Sequence, residues 1–206
     1  MSDFDALIAY FERFPGVGTR QAKRFAFHIL TMPRSDVREL SRLIANLDQS
    51  VARCSHCHRF FSYHQTSDTC PICLDSSRDA TKLLVVVHDS DIQAIERSDV
   101  YNGHYFVLGG TVPLLTEDTP KHVRGKLLYN TIEKRLAEGL KEVILGLPVN
   151  PDGENTGRYI EHLVADLVTS RDLHVSYLGR GLSTGSELEY ADRDTIKNAF
   201  INRGQP

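Results

Sequence analysis

Four cysteines carry the most specific chemistry in the chain. They read Cys54-Ser55-His56-Cys57 and, after twelve further residues, Cys70-Pro71-Ile72-Cys73. A tetrahedral Zn²⁺ takes four soft ligands, and two thiolate knuckles joined by a loop supply them from a stretch too short to build its own core. The competing readings are two redox pairs or two disulfides. Nothing else in the sequence suggests an oxidising compartment, and two closely spaced pairs in one short stretch favour metal. Structural Zn²⁺ held by Cys54, Cys57, Cys70 and Cys73 is therefore the expected cofactor. His56 and His58 are not needed as ligands and read as surface residues, with one of them replacing a cysteine ligand as the lesser alternative. Phe60, Phe61 and Tyr63 are placed to support the knuckles or to cover an adjoining surface.

A second cluster lies upstream in Phe14-Pro15-Gly16-Val17-Gly18. Gly16 and Gly18 lack a Cβ, so the backbone can turn tightly and approach a ligand closely. The free N–H groups that open the next helix then point outward as anion donors. From Arg13 to Ser35 there are five basic residues (Arg13, Arg20, Lys23, Arg24 and Arg34) and no acidic one. Arg20, Lys23 and Arg24 follow the hairpin directly, where they would neutralise phosphates and release counterions. The phenylalanines here fall mostly on the buried helix stripe, leaving none to stack on bases. The expected mode is phosphate contact without sequence preference, through Gly16, Val17, Gly18, Arg20, Lys23 and Arg24. A plain turn beside a solvated basic face is the bland alternative.

Three further loops carry polar groups: His88-Asp89-Ser90-Asp91, Pro151-Asp152-Gly153-Glu154, and Gly179-Arg180-Gly181-Leu182-Ser183-Thr184-Gly185. Carboxylates on neighbouring loops can hold Mg²⁺, though Asp and Gly are equally the residues of ordinary turns. The glycine-rich stretch has no Gly-Lys-Ser/Thr ending, so no nucleoside triphosphate site is assigned.

The elements that must position these groups divide at the cysteines. Phe4, Leu7, Ile8 and Phe11 mark a first helix, capped by Ser2 or Asp3 and ended by Pro15. Thr19 is the expected cap of a second, with Ala22, Phe25, Ala26, Ile29 and Leu30 as its buried stripe. Val37, Leu40, Leu43, Ile44, Leu47 and Val51 mark a third, expected to complete a small helical module. From Lys82 the texture becomes α/β. Apolar runs at Leu83–Val87, Tyr105–Leu108, Val143–Leu145 and Val175–Leu178 read as about four strands of a largely parallel sheet. Helices between them are marked by Ile92 and Ile95, by Val123 to Leu136 started at Thr119-Pro120, and by Tyr159 to Leu167. A terminal helix runs from Asp192 to Arg203 with Ile196, Ala199 and Phe200 on one face.

Composition fits this picture. With 206 residues, 41% hydrophobic and 25% charged, the chain can build a compact domain with smaller appendages. The net charge of −3 places any affinity for nucleic acid in a local patch rather than in the whole. No apolar run reaches the ~18 residues of a membrane span and the N-terminus lacks the pattern of a signal peptide, so a cytoplasmic location and no membrane partner are expected.

The order of parts resembles the bacterial RecR family of recombination mediator proteins. The resemblance rests on the Phe-Pro-Gly-Val-Gly hairpin, the four-cysteine motif, the α/β domain and the C-terminal Gly-Leu-Ser-Thr-Gly-Ser-Glu-Leu-Glu-Tyr-Ala-Asp, and it covers almost the whole chain. It implies a helix-hairpin-helix DNA-binding module over residues 1–53, a zinc motif over 54–73, a Toprim-like parallel-sheet domain over 80–178, and a C-terminal glycine-rich loop and helix over 179–206. It also implies a homo-oligomer, a dimer or tetrameric ring that clamps DNA. Partners would be RecO-like and RecF-like proteins, acting in loading RecA onto gapped DNA. The family's basic positions fall on Arg20 and Arg24, and its acidic loop on Asp152 and Glu154 as a partner-binding surface. Two departures stand out. Val87, followed by His88 and Asp89, sits where the family and catalytic Toprim enzymes end the first strand in glutamate. The Pro113-Leu114-Leu115-Thr116-Glu117-Asp118 loop lacks the family's usual glycines. Without that glutamate a general acid or base and metal ligand is missing, which favours a non-enzymatic mediator over a Mg²⁺-dependent Toprim nuclease or phosphotransferase. A zinc-stapled protein scaffold that does not bind DNA is a third reading.

Overall fold

The computed structural model describes residues 1–62, 67–115, 119–179, 181–182, 185 and 187–202, with the side chains of Asp194 and Ile201 excepted. Expectations for Tyr63, Thr116, Glu117, Asp118, Arg180, Ser183, Thr184 and Arg203 lie outside the described residues. The chain divides into two compact units, Met1–Ala52 and Arg53–Pro206.

In the first unit, α1 spans Asp3–Phe11. It begins in a capping box: the Ser2 side chain accepts from the Asp5 N–H while the Asp5 carboxylate accepts from the Ser2 N–H. Helix α2 spans Thr19–Thr31. Ile8, Ala22 and Ala26 are buried together, with Phe4, Leu7, Phe11 and Val17 packed around them. Two small alanines at i and i+4 let α2 approach α1 closely. The wider stripe expected of α2 is not buried, since Phe25, Phe27 and Leu30 remain exposed. Phe25 meets Phe11 edge-on and Phe27 tilts against Phe4, so these rings edge the core rather than fill it. The expectation that no aromatic ring is free is thereby corrected.

Helix α3 spans Arg34–Ala45 and lies in this same unit, but it buries no residue. It is followed by the one-turn α4, Leu47–Ser50. Val51, expected on the third helix, instead opens strand β1, Val51–Arg53, which pairs with β2, Phe60–Ser62. Its β-branched side chain and a waiting partner strand override the helical spacing.

The second unit contains the short α5, Pro71–Leu74, and then a four-stranded sheet. Its elements are β3 (Asp79–Val86), α6 (Asp89–Ser98), β4 (Gly103–Val107), α7 (Gly125–Ala137), β5 (Glu142–Gly146), α8 (Pro151–Leu163), α9 (Ala165–Arg171), β6 (His174–Tyr177) and α10 (Arg193–Ile201). All three strand pairs are parallel, in the order β4-β3-β5-β6. Leu83, Val85, Phe106, Val143 and Leu145 pack beneath Leu128 and Ile132 of α7 and Ile160 of α8. Leu84, Val86, Tyr105 and Val107 pack on the other face with Ile92 of α6. Helices on both faces explain why these strands read as unbroken apolar runs.

Two stretches expected as loops are helix starts. Asn150 caps α8, its side chain accepting from the Gly153 N–H at 2.8 Å, so Pro151-Asp152-Gly153-Glu154 forms the first turn. Asp89 to Asp91 open α6, where the Asp91 carboxylate accepts from the His88 N–H at 2.8 Å. Helix α7 begins at Gly125 rather than near Thr119. Among the described residues no helix is long and apolar enough to cross a membrane.

Candidate metal centre and nucleic-acid interface

The ligand atoms of Cys54, Cys57, Cys70 and Cys73 all lie within 4.8 Å of one another, three of the residues fully buried and Cys73 partly so. Zn–S bonds of about 2.3 Å at tetrahedral angles place sulfurs roughly 3.8 Å apart. The Cys57 and Cys70 sulfurs are 3.6 Å apart, so the set fits Zn²⁺. The Cys70 N–H donates to the Cys54 sulfur at 3.3 Å, an arrangement that favours thiolate there. Thiol donation from Cys57, Cys70 and Cys73 pulls the Cys54 thiol far down, while Cys57 and Cys73 are pushed up, first of all by their contacts with Cys54. Without a cation the four sulfurs cannot all ionise; Zn²⁺ would supply the charge that lets them do so.

The knuckles are sewn to the sheet. Strand β4 lies at its edge, and the Val107 N–H donates to the Cys57 carbonyl at 2.8 Å while the Val107 carbonyl accepts from Arg124 at 2.8 Å. Two groups on an open edge are thereby satisfied. Asp89 accepts from the Phe60 N–H, and Phe61 packs against the cysteines as expected, while Phe60 is exposed. His58 is not a surface residue. It adopts a left-handed backbone, φ 59°, and is half-buried with its ring edge-on to Phe106 at 5.1 Å. Burial, then the Arg124 charge, lowers its pKa below the ordinary imidazole range. His56 is exposed, as expected.

At the hairpin, Val17 donates its N–H to the Phe14 carbonyl at 3.0 Å and turns its side chain into the α1–α2 core. Val17 therefore shapes the turn from within. Gly16 has φ +76°, where a glycine is required. Gly18 differs: its backbone is extended, at φ −86° and ψ 170°, and it, not Thr19, is the N-cap of α2. A Cβ at Gly18 would meet nothing within 4 Å. No side chain caps this helix start, and Arg20, Lys23 and Arg24 stand exposed on its first turns. Arg24 also edges a shallow hollow with Gln21, Phe25, Phe27 and His28.

Asp152 and Glu154 lie on the first turn of α8. The Asp152 carboxylate accepts from the Leu114 N–H at 3.0 Å, which ties it to the loop after β4. Among the described residues the cysteines form the only group of three or more His, Cys, Asp or Glu placed to hold a metal. Val87 is 1% exposed, in a place where a carboxylate would be desolvated.

A family model described as RecR, helix-hairpin-helix, matches residues 4–47, and another described as RecR, C-terminal, matches residues 181–203. The α1–hairpin–α2 arrangement is thus the helix-hairpin-helix of that class of protein. The chain is 32% identical over 202 residues to a protein named Recombination protein RecR of Ureaplasma parvum serovar 3, covering 98% of this chain and 95% of that one. It is 35% identical over 197 residues to the one of Lactobacillus johnsonii and 34% identical over 197 residues to the one of Staphylococcus saprophyticus, each covering 96% of this chain and 94% of the relative. The chain belongs to the RecR family.

Proposed function

We propose that this protein is a non-enzymatic DNA-binding mediator of recombinational repair. It works in the cytoplasm as an oligomeric clamp and adaptor, with RecO-like and RecF-like proteins, to load RecA on gapped DNA. The observation that carries the reading is the hairpin: an open Gly18 and an uncapped helix start beside Arg20, Lys23 and Arg24. That arrangement suits backbone phosphates, whose contacts carry no sequence information directly.

Several features support the remaining parts. The parallel-sheet domain is read as Toprim-like, with Asp152 and Glu154 as a partner-facing pair. The buried Val87 and the bonded Asp152 disfavour the Mg²⁺-dependent nuclease or phosphotransferase alternative. Leu43, Ile44 and Leu47 are exposed on α3 and α4, an apolar surface suited to another copy of the chain. Clustering several hairpins on one DNA would raise a weak single-copy affinity through effective concentration. Zn²⁺ is structural in this reading.

The test is binding to duplex, single-stranded and gapped DNA with mass measured by light scattering, followed by incubation with Mg²⁺. Binding as an oligomer, with the DNA left intact, is expected. A strict monomer with DNA present would sink the clamp, and cleavage lost in Asp152→Ala would establish the enzymatic alternative.

A further inference from the structure

Arg135 stands out among the buried side chains. It sits in the last turn of α7 at 9% exposure, where an arginine ordinarily has a carboxylate or carbonyl partner. Two of the partly buried arginines follow that rule, while Arg59 keeps a buried Nε without a partner. Arg78 pairs with Glu96 and donates to the Gly103 carbonyl, and Arg124 donates to the Val107 carbonyl. Among the described residues, the Arg135 guanidinium has neither an ion pair nor a hydrogen bond.

It instead lines a cavity of about 390 Å³ between α7 and the cysteine knuckles, within the second unit. His56 and His58 form the knuckle wall, and Asn130, Lys134 and Glu138 line it from α7 and its C-cap. Lys134 and Glu138, like Arg135, have no ion pair among the described residues, so the lining retains two cationic groups against one carboxylate. Nearby, His104 is 8% exposed with its Nδ1 buried and unbonded. Burial, and next the charge of Arg135, lowers its pKa, favouring the neutral imidazole.

A helix C-terminus accounts for basic residues at its surface, whereas Arg135, a residue with little exposed area, turns its guanidinium to the cavity with no protein acceptor. An anion in the cavity would provide that acceptor. We propose that this cavity is a phosphate-binding site, in which Arg135 and Lys134 hold the oxyanion of a phosphoryl group. The guanidinium fork and the ammonium give charge-assisted bonds to its oxygens, and the Asn130 amide adds a donor. Phosphate is favoured over a peptide carboxylate because Leu127 is the only large apolar side chain in the lining, leaving little to hold a side chain. The volume exceeds that of phosphate alone and accommodates the group that bears it.

The test uses the full zinc-loaded chain and inorganic phosphate at constant ionic strength, followed through backbone amide NMR signals. Saturable shifts are expected at His56, His58 and residues 130–138. Binding should weaken about tenfold in Lys134→Gln and further in Arg135→Gln. Lys134 is exposed, so its variant tests the site even if Arg135→Gln fails to fold. A second arm adds gapped duplex to a chain carrying Arg20→Ala and Arg24→Ala, which separates this site from the hairpin. If the same amides move, the phosphate is that of a polynucleotide; if only inorganic phosphate moves them, the source is a free phosphoryl compound. Absence of saturable shifts in the unsubstituted chain, or a folded Lys134→Gln that titrates like it, would overturn the site.

Discussion

The two hairpin glycines occupy different conformations, and substituting each with alanine separates turn formation from ligand approach. Gly16 lies at φ +76°, where an L-residue costs about 1–2 kcal/mol. Its notional Cβ meets nothing within 4 Å, so backbone strain alone sets the cost. Gly16→Ala should therefore speed amide exchange at the buried Ala22 and Ala26 by roughly 5- to 30-fold. Gly18 is extended and equally open, so Gly18→Ala brings no such strain. Alanine is a poorer N-cap than glycine, by about 0.5 kcal/mol, but it also restricts the unfolded chain by about as much. Exchange should stay within about 2-fold of the starting chain, the two effects being of opposite sign. Its Cβ would nevertheless stand in the space where a phosphate approaches the α2 start, so DNA affinity should fall. Fluorescence anisotropy with labelled gapped duplex measures that loss, and amide exchange by NMR measures the fold. Unchanged exchange in Gly16→Ala would refute the left-handed turn. Unchanged DNA binding in a normally folded Gly18→Ala would refute the close approach.

Three other outcomes follow from the second unit. One Zn²⁺ per chain is expected, and Cys57→Ser should lose it together with the exchange protection of Val107, whose N–H donates to the Cys57 carbonyl; continued protection without metal would contradict the sewn edge. Thr156 is fully buried, accepting from the Val112 N–H at 2.8 Å and donating to the Asp152 carbonyl, so Thr156→Val should destabilise the unit by about 1–3 kcal/mol in urea titrations followed by sheet-domain amide signals. Burial pushes the Glu96 carboxyl up but is outweighed by hydrogen bonds from Arg78 and Tyr105, leaving its pKa lowered. The ion pair thus stabilises the fold above the unfolded glutamate pKa of about 4.3 and loses that contribution as pH falls through the lowered folded value; melting temperature against pH should show this fall in the unsubstituted chain and a flatter profile in Glu96→Gln.

What could be read in the sequence was what neighbouring residues decide. The cysteine set needs only short spacings, and the strands announce themselves because helices cover both faces of the sheet. Helix starts were harder. Pro151-Asp152-Gly153-Glu154 has the composition of a turn and of a helix N-terminus alike, and only the Asn150 cap distinguishes them. Val51 fits the third helix by spacing, but it joins a strand whose partner lies several residues away. Phe25 and Leu30 fit the buried stripe of α2, yet the two alanines draw the helices together and leave the larger residues outside. His58 and Arg135 gave no local signal. His58 is set against Phe106 of β4, and Arg135 faces the knuckles across a cavity, both juxtapositions of segments far apart in the chain. The family resemblance covered the order of parts but could not show that Asp152 would be bonded to Leu114.

The central claim is that DNA is held through phosphate contacts at the hairpin. It is tested most directly by the salt dependence of gapped-duplex binding in the unsubstituted chain and in the Arg20→Ala, Arg24→Ala double variant. Removing two phosphate contacts should weaken binding and lower the slope of log affinity against log salt by about 1.8 per chain engaged, at roughly 0.9 for each contact on duplex. The same affinity and the same slope in the two proteins would contradict the account.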